Sequence, residues 1–507
     1  MRPNVLLVVL DSVRARNTSL HGHVDETTPF LTSFADDATW YTQARAPAAT
    51  SLTSHASIFT GLSVPEHGLT ATDRSLEPGH SVFERLREDG YRTGVFSENT
   101  WITEVDVGLN RGFDEVVGPQ NLPFPDAVDP RGFVADAGRG DYAGYVRESL
   151  ASDAPVRSLL NGVAIKLAYD YPALLPDALR SRARGDTYVD AFIRWIEGAD
   201  GDGGGGDSGG GDGTGPSEVP WAACINLMDA HIPYEPPAEH DRWGGKRARA
   251  IQDDLDEQKW EFAGGQRPWW QKRALEGLYD GAIRQTDAVV ADLVDRLRER
   301  GLYDDTLVVV TADHGEGFGE RSHVRPDVRI AEHNVGIHDV LTHVPLLVKR
   351  PGQESGERVD DLVSLSAFPA AVERVRDGGD ASNENSPDRP LFVRDGPVVS
   401  TAVGLDEAKR RRAAPYVDDL TPYTATSRAV YERGDDGRVR KYVTWRDAAK
   451  TVEIPDPETS FVAADTDEGR VDAAFEGLTD AGVTGEGTAV DDLDGETKRH
   501  LEDLGYV

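Results

Sequence analysis

The stretch Ala44-Arg45-Ala46-Pro47-Ala48-Ala49-Thr50-Ser51-Leu52-Thr53-Ser54-His55-Ala56-Ser57-Ile58-Phe59-Thr60-Gly61 crowds hydroxyls into a small-residue turn that runs into a helical pattern. Ser51, at the mouth of such a helix, could meet an anion held there. The first N–H groups of a helix lack internal acceptors, and its dipole is positive at that end. The same pattern also serves a plain N-cap, with Thr50 or Ser51 as the cap and Ser54 and Ser57 as polar packing. Asp313 and His314 follow the strand-like run Thr306–Thr311, and Asp11 follows another over residues 5–10. An oxygen and an imidazole at the carboxyl end of a buried strand suit a divalent cation, although strand-end aspartates also act as simple caps. Asn99 follows the strand-like residues 93–97 as a candidate donor to an anionic ester. Asp229 and His231 follow Trp221–Leu227, and His333 comes shortly after Asp313-His314. His21 and His23 sit in a Gly-interrupted loop and are read as solvated.

The elements that must position these groups alternate along the chain. The continuous β-branched and aliphatic run over 5–10 reads as a strand covered on both faces, and 93–97, 221–227, 306–311 and 344–349 read as further strands. Helical patterns separate them: one opened by Thr28-Pro29, one over 81–87 stopped by Gly90, one over 188–195, and a long amphipathic one over 276–300 closed by Gly301. This alternation predicts an α/β fold, a doubly wound, mostly parallel sheet flanked by helices, with ligands at the strands' carboxyl ends. Residues 126–199 read as helical and irregular, without a catalytic motif. Residues 198–216 are nearly all Gly, Asp and Ser, a composition that cannot bury a core and predicts a disordered insertion. Beyond Gly352 the character changes: a strand end leads into a helix with Pro369 in its first turn, residues 429–433 and 440–444 flank a Gly-Asp-Asp-Gly turn, and 493–504 form a polar helix. The chain thus divides into a catalytic domain over 1–352 and a smaller C-terminal α+β subdomain over 353–507.

At 507 residues the chain is long enough for a sizeable core. Its 89 Asp and Glu against 54 Lys and Arg give a formal charge of −35, which argues against nucleic acid or an anionic lipid surface as partner. Acidic residues spread through the whole chain fit a halophilic protein, where salt screens their repulsion. The single cysteine, Cys224, excludes an internal disulfide and points to a reducing compartment. No segment approaches the roughly 20 apolar residues of a membrane-spanning helix, so a cytoplasmic location is expected. Oligomeric state is not readable from these features.

Taken in order, Asp11, the Ser51 to Thr60-Gly61 block, Gly112-Phe113-Asp114, His231-Ile232-Pro233-Tyr234, Thr311-Ala312-Asp313-His314-Gly315 and His333 through Val344-Pro345-Leu346 resemble the sulfatase family of the alkaline phosphatase superfamily. The resemblance covers about residues 4–350. The ending Leu501-Glu502-Asp503-Leu504-Gly505-Tyr506 is similar to archaeal and bacterial relatives, which with the acidic composition suggests a haloarchaeal-type sulfatase-like hydrolase. The resemblance implies that Asp11, Asp313 and His314 hold one divalent metal, Ca2+, Mg2+ or Mn2+. It puts Ser51 at the nucleophile position, His231 at the leaving oxygen and His333 against the ester oxyanion, with Thr50 and Asn99 as substrate-binding candidates. Many sulfatases carry two aspartates where this chain has Asp11-Ser12. The family's motif of Cys or Ser followed by x-Pro-x-Arg reads here Ser51-Leu52-Thr53-Ser54-His55, so His55 joins the catalytic candidates and conversion of Ser51 to formylglycine is not expected. An unmodified Ser51, or Thr50 beside it, suits phosphoryl chemistry, since water can hydrolyse the resulting ester in the same site. The expected activity is hydrolysis of small-molecule or glycan sulfate esters. Alternatives are a phosphate mono- or diester hydrolase or phosphotransferase, and an inactive anion-binding protein.

Overall fold

The computed structural model describes residues 2–119, 127–128, 130, 142–152, 154–170, 184–198, 219–255, 258–333, 335–377, 389–456, 459–466, 468–490, 498 and 501. The expected insertion, from residue 199 onward, and the terminal helix over 493–504, apart from Lys498 and Leu501, lie outside them.

The apolar runs become strands because each can bury both faces. The strands are β1 (Asn4–Leu10), β2 (Thr39–Arg45), β3 (Arg74–Leu76), β4 (Arg92–Ser97), β5 (Glu115–Val117), β6 (Trp221–Leu227), β7 (Thr306–Thr311), β8 (Phe318–Arg321), β9 (Arg329–Ala331), β10 (Leu346–Lys349), β11 (Glu357–Ser364), β12 (Val398–Ala402), β13 (Ser427–Arg433), β14 (Val439–Trp445), β15 (Ala448–Ile454), β16 (Phe461–Asp465) and β17 (Thr484–Glu486). Eight of them form one sheet in the order β11-β2-β10-β7-β1-β6-β4-β5. β1 pairs in parallel with β6 and β7, while β10 runs antiparallel to both of its neighbours, β2 and β7. Every residue of β6 and β7 is buried, which is why these strands read as unbroken apolar runs.

Helices flank the sheet in two groups. Trp269–Glu299 packs against Pro29–Phe34 and Gly185–Ile196, whereas Ser51–Thr60 packs against Val82–Glu88 and Phe368–Arg376. The long helix begins seven residues before the expected Glu276. Lys272 in its second turn is fully buried, so a charged residue interrupts the apolar periodicity that the sequence pattern follows. Ser81 accepts from Phe83 N and Glu84 reaches back to Ser81 N, a capping box that starts its helix where the pattern places it.

The main sheet extends past residue 352. β11 pairs with β2, and Val363, Leu365, Phe368 and Val372 lie in the same core as β1, so the boundary expected at 352 is corrected to beyond the helix Phe368–Arg376. The change of character at Gly352 is a turn in the chain and not a change of core. The second sheet is antiparallel, in the order β12-β13-β14-β15-β16, with the expected hairpin closed by Gly434 N donating to Arg438 O. β17 returns to pair with β3.

This second sheet grips the first at the approach to Ser51. Ser400 Oγ donates to Ala46 O at 2.7 Å, and Thr401 N donates to Pro47 O at 2.9 Å. Below that seam, Lys441 of β14 is fully buried 3.0 Å from Asp339 Oδ2. Breaking a buried pair leaves one charge without compensation, so Lys441→Ala should cost about 3–5 kcal/mol in urea unfolding; a loss of a few tenths would mean the pair is solvated.

Histidines near the seam are buried, contrary to the solvated reading of His21. Its Nδ1 lies 2.8 Å from Thr18 Oγ1, and its ring meets Trp40 and His343 edge-on. His23 is partly buried, 3.5 Å from Asp280 Oδ2. The glycine at position 22 takes a left-handed turn (φ +96°) that folds the loop inward. Burial pushes His21 and His338 down to about 3 and His67 to about 4. His338 and His67 each use Nδ1 to accept a backbone N–H, from Val340 and Leu69, which a second ring proton would forbid. The unfolded chain therefore binds more protons below the ordinary value of 6.5, and these groups contribute stability that is full above it and lost as pH falls toward 4. Each adds a slope of about 1.4 kcal/mol per pH unit in that window. Urea midpoints at pH 7.5 and pH 5 should differ accordingly, and equal midpoints would contradict the burial of these rings.

Candidate active site

The carboxyl ends of β1 and β7 place Asp11 and Asp313 side by side, and the turn after β7 adds His314; all three are fully buried. Their ligand-type atoms lie within 4.8 Å of one another. Asp11 Oδ2 accepts from Asn99 Nδ2 and from Asn226 Nδ2, both at 3.1 Å, and Oδ1 accepts from Ser12 Oγ at 2.9 Å. Asp313 Oδ1 accepts from His314 N at 2.9 Å and Ser12 N at 3.3 Å. Its Oδ2 is buried without a hydrogen-bond partner among the described residues. Burial, and after it the Asp313 carboxylate, push Asp11 up to about 7. For Asp313 burial acts upward too, but the His314 and His55 imidazoles outweigh it and hold the carboxyl below its ordinary value.

A divalent cation fits this set. Two carboxylates converge with one oxygen left unsatisfied, and His314 donates Nδ1–H to Gly315 O at 3.0 Å, which leaves Nε2 bare as a ligand atom. The glycine at 315 is required, since a Cβ there would stand 2.0 Å from Val340 O and 2.8 Å from Arg14 Cβ. Ser12 takes a left-handed backbone (φ 64°), and Tyr279 Oη donates to its carbonyl at 2.7 Å. This turn aims Ser12 N at Asp313, so where many sulfatases have a second aspartate this chain has a hydroxyl and an N–H that hold carboxylates.

Ser51 opens the helix Ser51–Thr60, and its Oγ lies 3.1 Å from His314 Nε2. Thr50 occupies the N-cap position without a side-chain cap; its Oγ1 pairs instead with Thr53 Oγ1 at 2.7 Å. The Thr50 hydroxyl therefore does not cap the start of this helix, which lies beside the cluster. Ser54 Oγ donates to Asp313 O at 2.6 Å and ties the helix to the metal-site turn. His55 Nδ1 donates to Ser51 O at 2.9 Å and lies 3.6 Å from Asp313 Oδ2, so His55 braces the Ser51 helix against Asp313.

His333 stacks on His314 with centroids 4.4 Å apart, and His231 stands 5.3 Å from His333. His231 donates Nδ1–H to Ile232 O at 2.8 Å, beside the cis Ile232–Pro233 bond. Asp229 is not part of the site. It accepts from Gly185 N at 3.1 Å and from Gln285 Nε2 at 2.6 Å, which anchors the start of Gly185–Ile196. Asn99 is placed one shell back from its expected role. Its Oδ1 accepts from Trp101 N and its Nδ2 holds Asp11, so its amide orients a ligand carboxylate.

Sequence reasoning missed Asn226, Glu316 and the lysines behind them. A lone amide in the otherwise apolar run Trp221–Leu227 was the available signal for Asn226. Glu316 is fully buried two residues after His314. Glu332, at φ 55°, is flanked by Lys259 Nζ at 3.4 Å and Lys272 Nζ at 3.5 Å.

The family model described as Sulfatase matches residues 3–136 and 215–373, which takes in every one of these side chains. This chain belongs to the sulfatase family. Curated relatives include Arylsulfatase K of Bos taurus, 30% identical over 91 residues, and of Gallus gallus, 27% over 105 residues. The matched stretches take in 18% and 20% of this chain, and the chain spans only 15% and 18% of those relatives' length. Among solved structures, the sulfatase chain described here is similar to the phosphonate monoester hydrolase of Agrobacterium radiobacter, with TM-score 0.55, 19% identity and 90% of each chain covered. It is also similar to a 2-O GAG sulfatase, with TM-score 0.51, 16% identity, and 100% and 94% of the two chains covered. At these identities the likeness is one of fold, the α/β architecture with a second, antiparallel sheet.

Proposed function

We propose that this protein is a metal-dependent hydrolase of sulfate esters, with the Ser51 hydroxyl as nucleophile. The observation that carries the reading is the buried Ser51 Oγ, 3.1 Å from His314 Nε2 and beside the Asp11–Asp313 pair, at the start of a helix. A divalent cation held by Asp11, Asp313 and His314 would supply positive charge against the ester oxygens. The first N–H groups of the Ser51 helix face the same anion and need no reorganisation to do so. Ser51 Oγ, its proton passing to water, attacks the central atom, the bond to the alcohol oxygen breaks, and the protonated His231 delivers its Nε2 proton to that oxygen and is left neutral with Nδ1–H on Ile232 O. His333 stands beside the ester, and water then cleaves the serine ester to restore Ser51.

A second reading, hydrolysis of phosphate mono- or diesters or phosphoryl transfer, is favoured by one feature. Thr53 and His55 stand where the family's motif has Pro and Arg, and an unmodified serine has no geminal hydroxyl with which to expel sulfate. A phosphoserine is open to attack by water in the same site. The purified protein, assayed at high salt with aryl sulfate and with aryl phosphate mono- and diesters, with and without Mg2+, Mn2+ or Ca2+, separates the two. Metal-dependent sulfate release supports the first reading, and phosphate release alone supports the second. Retained metal binding with no turnover on any ester would make this an anion-binding protein.

No helix among the described residues is long and apolar enough to cross a membrane. We place the protein in a salt-rich cytoplasm on its acidic composition, which the high-salt assay accommodates.

A further inference from the structure

Among the buried polar atoms left unsatisfied around the site, two face each other. Glu316 Oε1 accepts from Gly317 N at 2.9 Å, but Oε2 is buried with no hydrogen-bond partner among the described residues. His333 Nδ1 is likewise buried and unsatisfied. These two orphans are 3.4 Å apart. Glu316 is 0% exposed and His333 4%, so neither atom can turn to bulk water. Two buried polar atoms left unmade, each the complement of the other, cost more apart than together.

The backbone around His333 is built to hold this approach. Glu332, the residue before it, sits in the left-handed region at φ 55°, which a side chain with a Cβ adopts only when held. Its carboxylate lies between Lys259 and Lys272, and its N–H donates to Gly317 O at 3.0 Å, next to Glu316. The Glu316 turn and the His333 turn are therefore joined through the backbone next to both residues. The other imidazoles of the site, His314 and His231, have their Nδ1–H on backbone carbonyls. Of these three rings, His333 is the one whose Nδ1 faces a carboxylate instead of a backbone carbonyl, and a carboxylate fixes a ring tautomer while making the opposite nitrogen more basic.

The geometry points to Glu316 as the positioning residue of His333: it holds the ring proton on Nδ1 and leaves Nε2 as the nitrogen that can accept. The tautomer part stands on geometry alone, and the catalytic part rests on the role given to His333 above.

Imidazole 15N shifts of the full-length protein test the first part without any substrate, with the His333 signals assigned by their loss in His333→Gln. The Nδ1–H form is expected in the wild type, with a mixture or the Nε2–H form in Glu316→Leu. A wild-type Nε2–H signal would overturn the proposal, and so would an unchanged tautomer in Glu316→Leu. Should Glu316→Leu fail to fold, Glu316→Asp withdraws the carboxylate by one methylene and serves the same comparison. A double-mutant cycle tests the second part with whichever ester the protein turns over. Glu316→Leu should lower kcat about 10- to 100-fold with KM little changed, and should add nothing in a His333→Gln background. Equal effects in both backgrounds would make Glu316 merely structural and sink the proposal. A silent His333→Gln, by contrast, would overturn the role of His333 while leaving the tautomer result standing.

Discussion

Ser51→Ala is expected to lower kcat by at least about 10,000-fold on any ester the protein turns over, with the fold and metal affinity unchanged. The expectation follows from the place of its Oγ, against His314 Nε2 and beside the Asp313 carboxylate. Its carbonyl, which receives His55, survives the substitution, and so does the helix backbone, so the variant should still bind sulfate or phosphate as an anion. Thr50→Ala gives the contrast. Its hydroxyl is engaged with Thr53, so a loss of only a few-fold is expected there. If Thr50→Ala were the dead variant and Ser51→Ala the active one, the nucleophile would be misassigned by one residue.

Removal of the metal should have the second-largest effect, and Asp313→Asn should reproduce it. With chelator present, turnover should vanish and return on adding a divalent ion. Binding to the folded state alone stabilises it by RT ln(1 + [L]/Kd), about 2.7 kcal/mol at a hundredfold excess over Kd, so the melting temperature should rise with metal. The sign should reverse between the two proteins. In chelator, burial and then the Asp313 carboxylate push Asp11 of the wild type up to about 7, and Asp313→Asn removes the second of these causes. The variant should therefore melt at or above wild type without metal and below it with metal. Parallel curves that never cross would show that Asp313 does not hold the ion.

The fold was largely readable because its central strands are buried on both faces, which leaves a signal that needs no partner to interpret: residues 5–10 and 307–310 are apolar throughout, and 221–227 are apolar except for Asn226. The ends of those strands were readable for the same reason, since Asp11 and Asp313-His314 break the runs. Residues whose function depends on what lies across the fold were harder to see. Asp229 looks like Asp11 in sequence, a carboxylate at a strand end, yet the helix Gly185–Ile196 arrives to use it. Lys272 and Glu332 are sixty positions apart, and neither carries a local pattern that would announce a buried pair. The boundary at 352 failed because β11 joins the sheet through β2, some three hundred residues earlier.

On the ribosome, β1 emerges first, yet its hydrogen-bonding neighbours begin only at Trp221 and Thr306. At ordinary translation rates the wait for the first of them is on the order of 10–40 s. Through that interval residues 5–10 are an apolar ribbon with both edges open, the kind of segment that pairs with another nascent chain as readily as with its own partners. Circular permutation that delivers β6 and β7 ahead of β1 would shorten the exposure without altering a single contact of the finished enzyme. Its yield of native protein, compared with that of the natural order, would measure how much the cell's holding chaperones contribute to making this site at all.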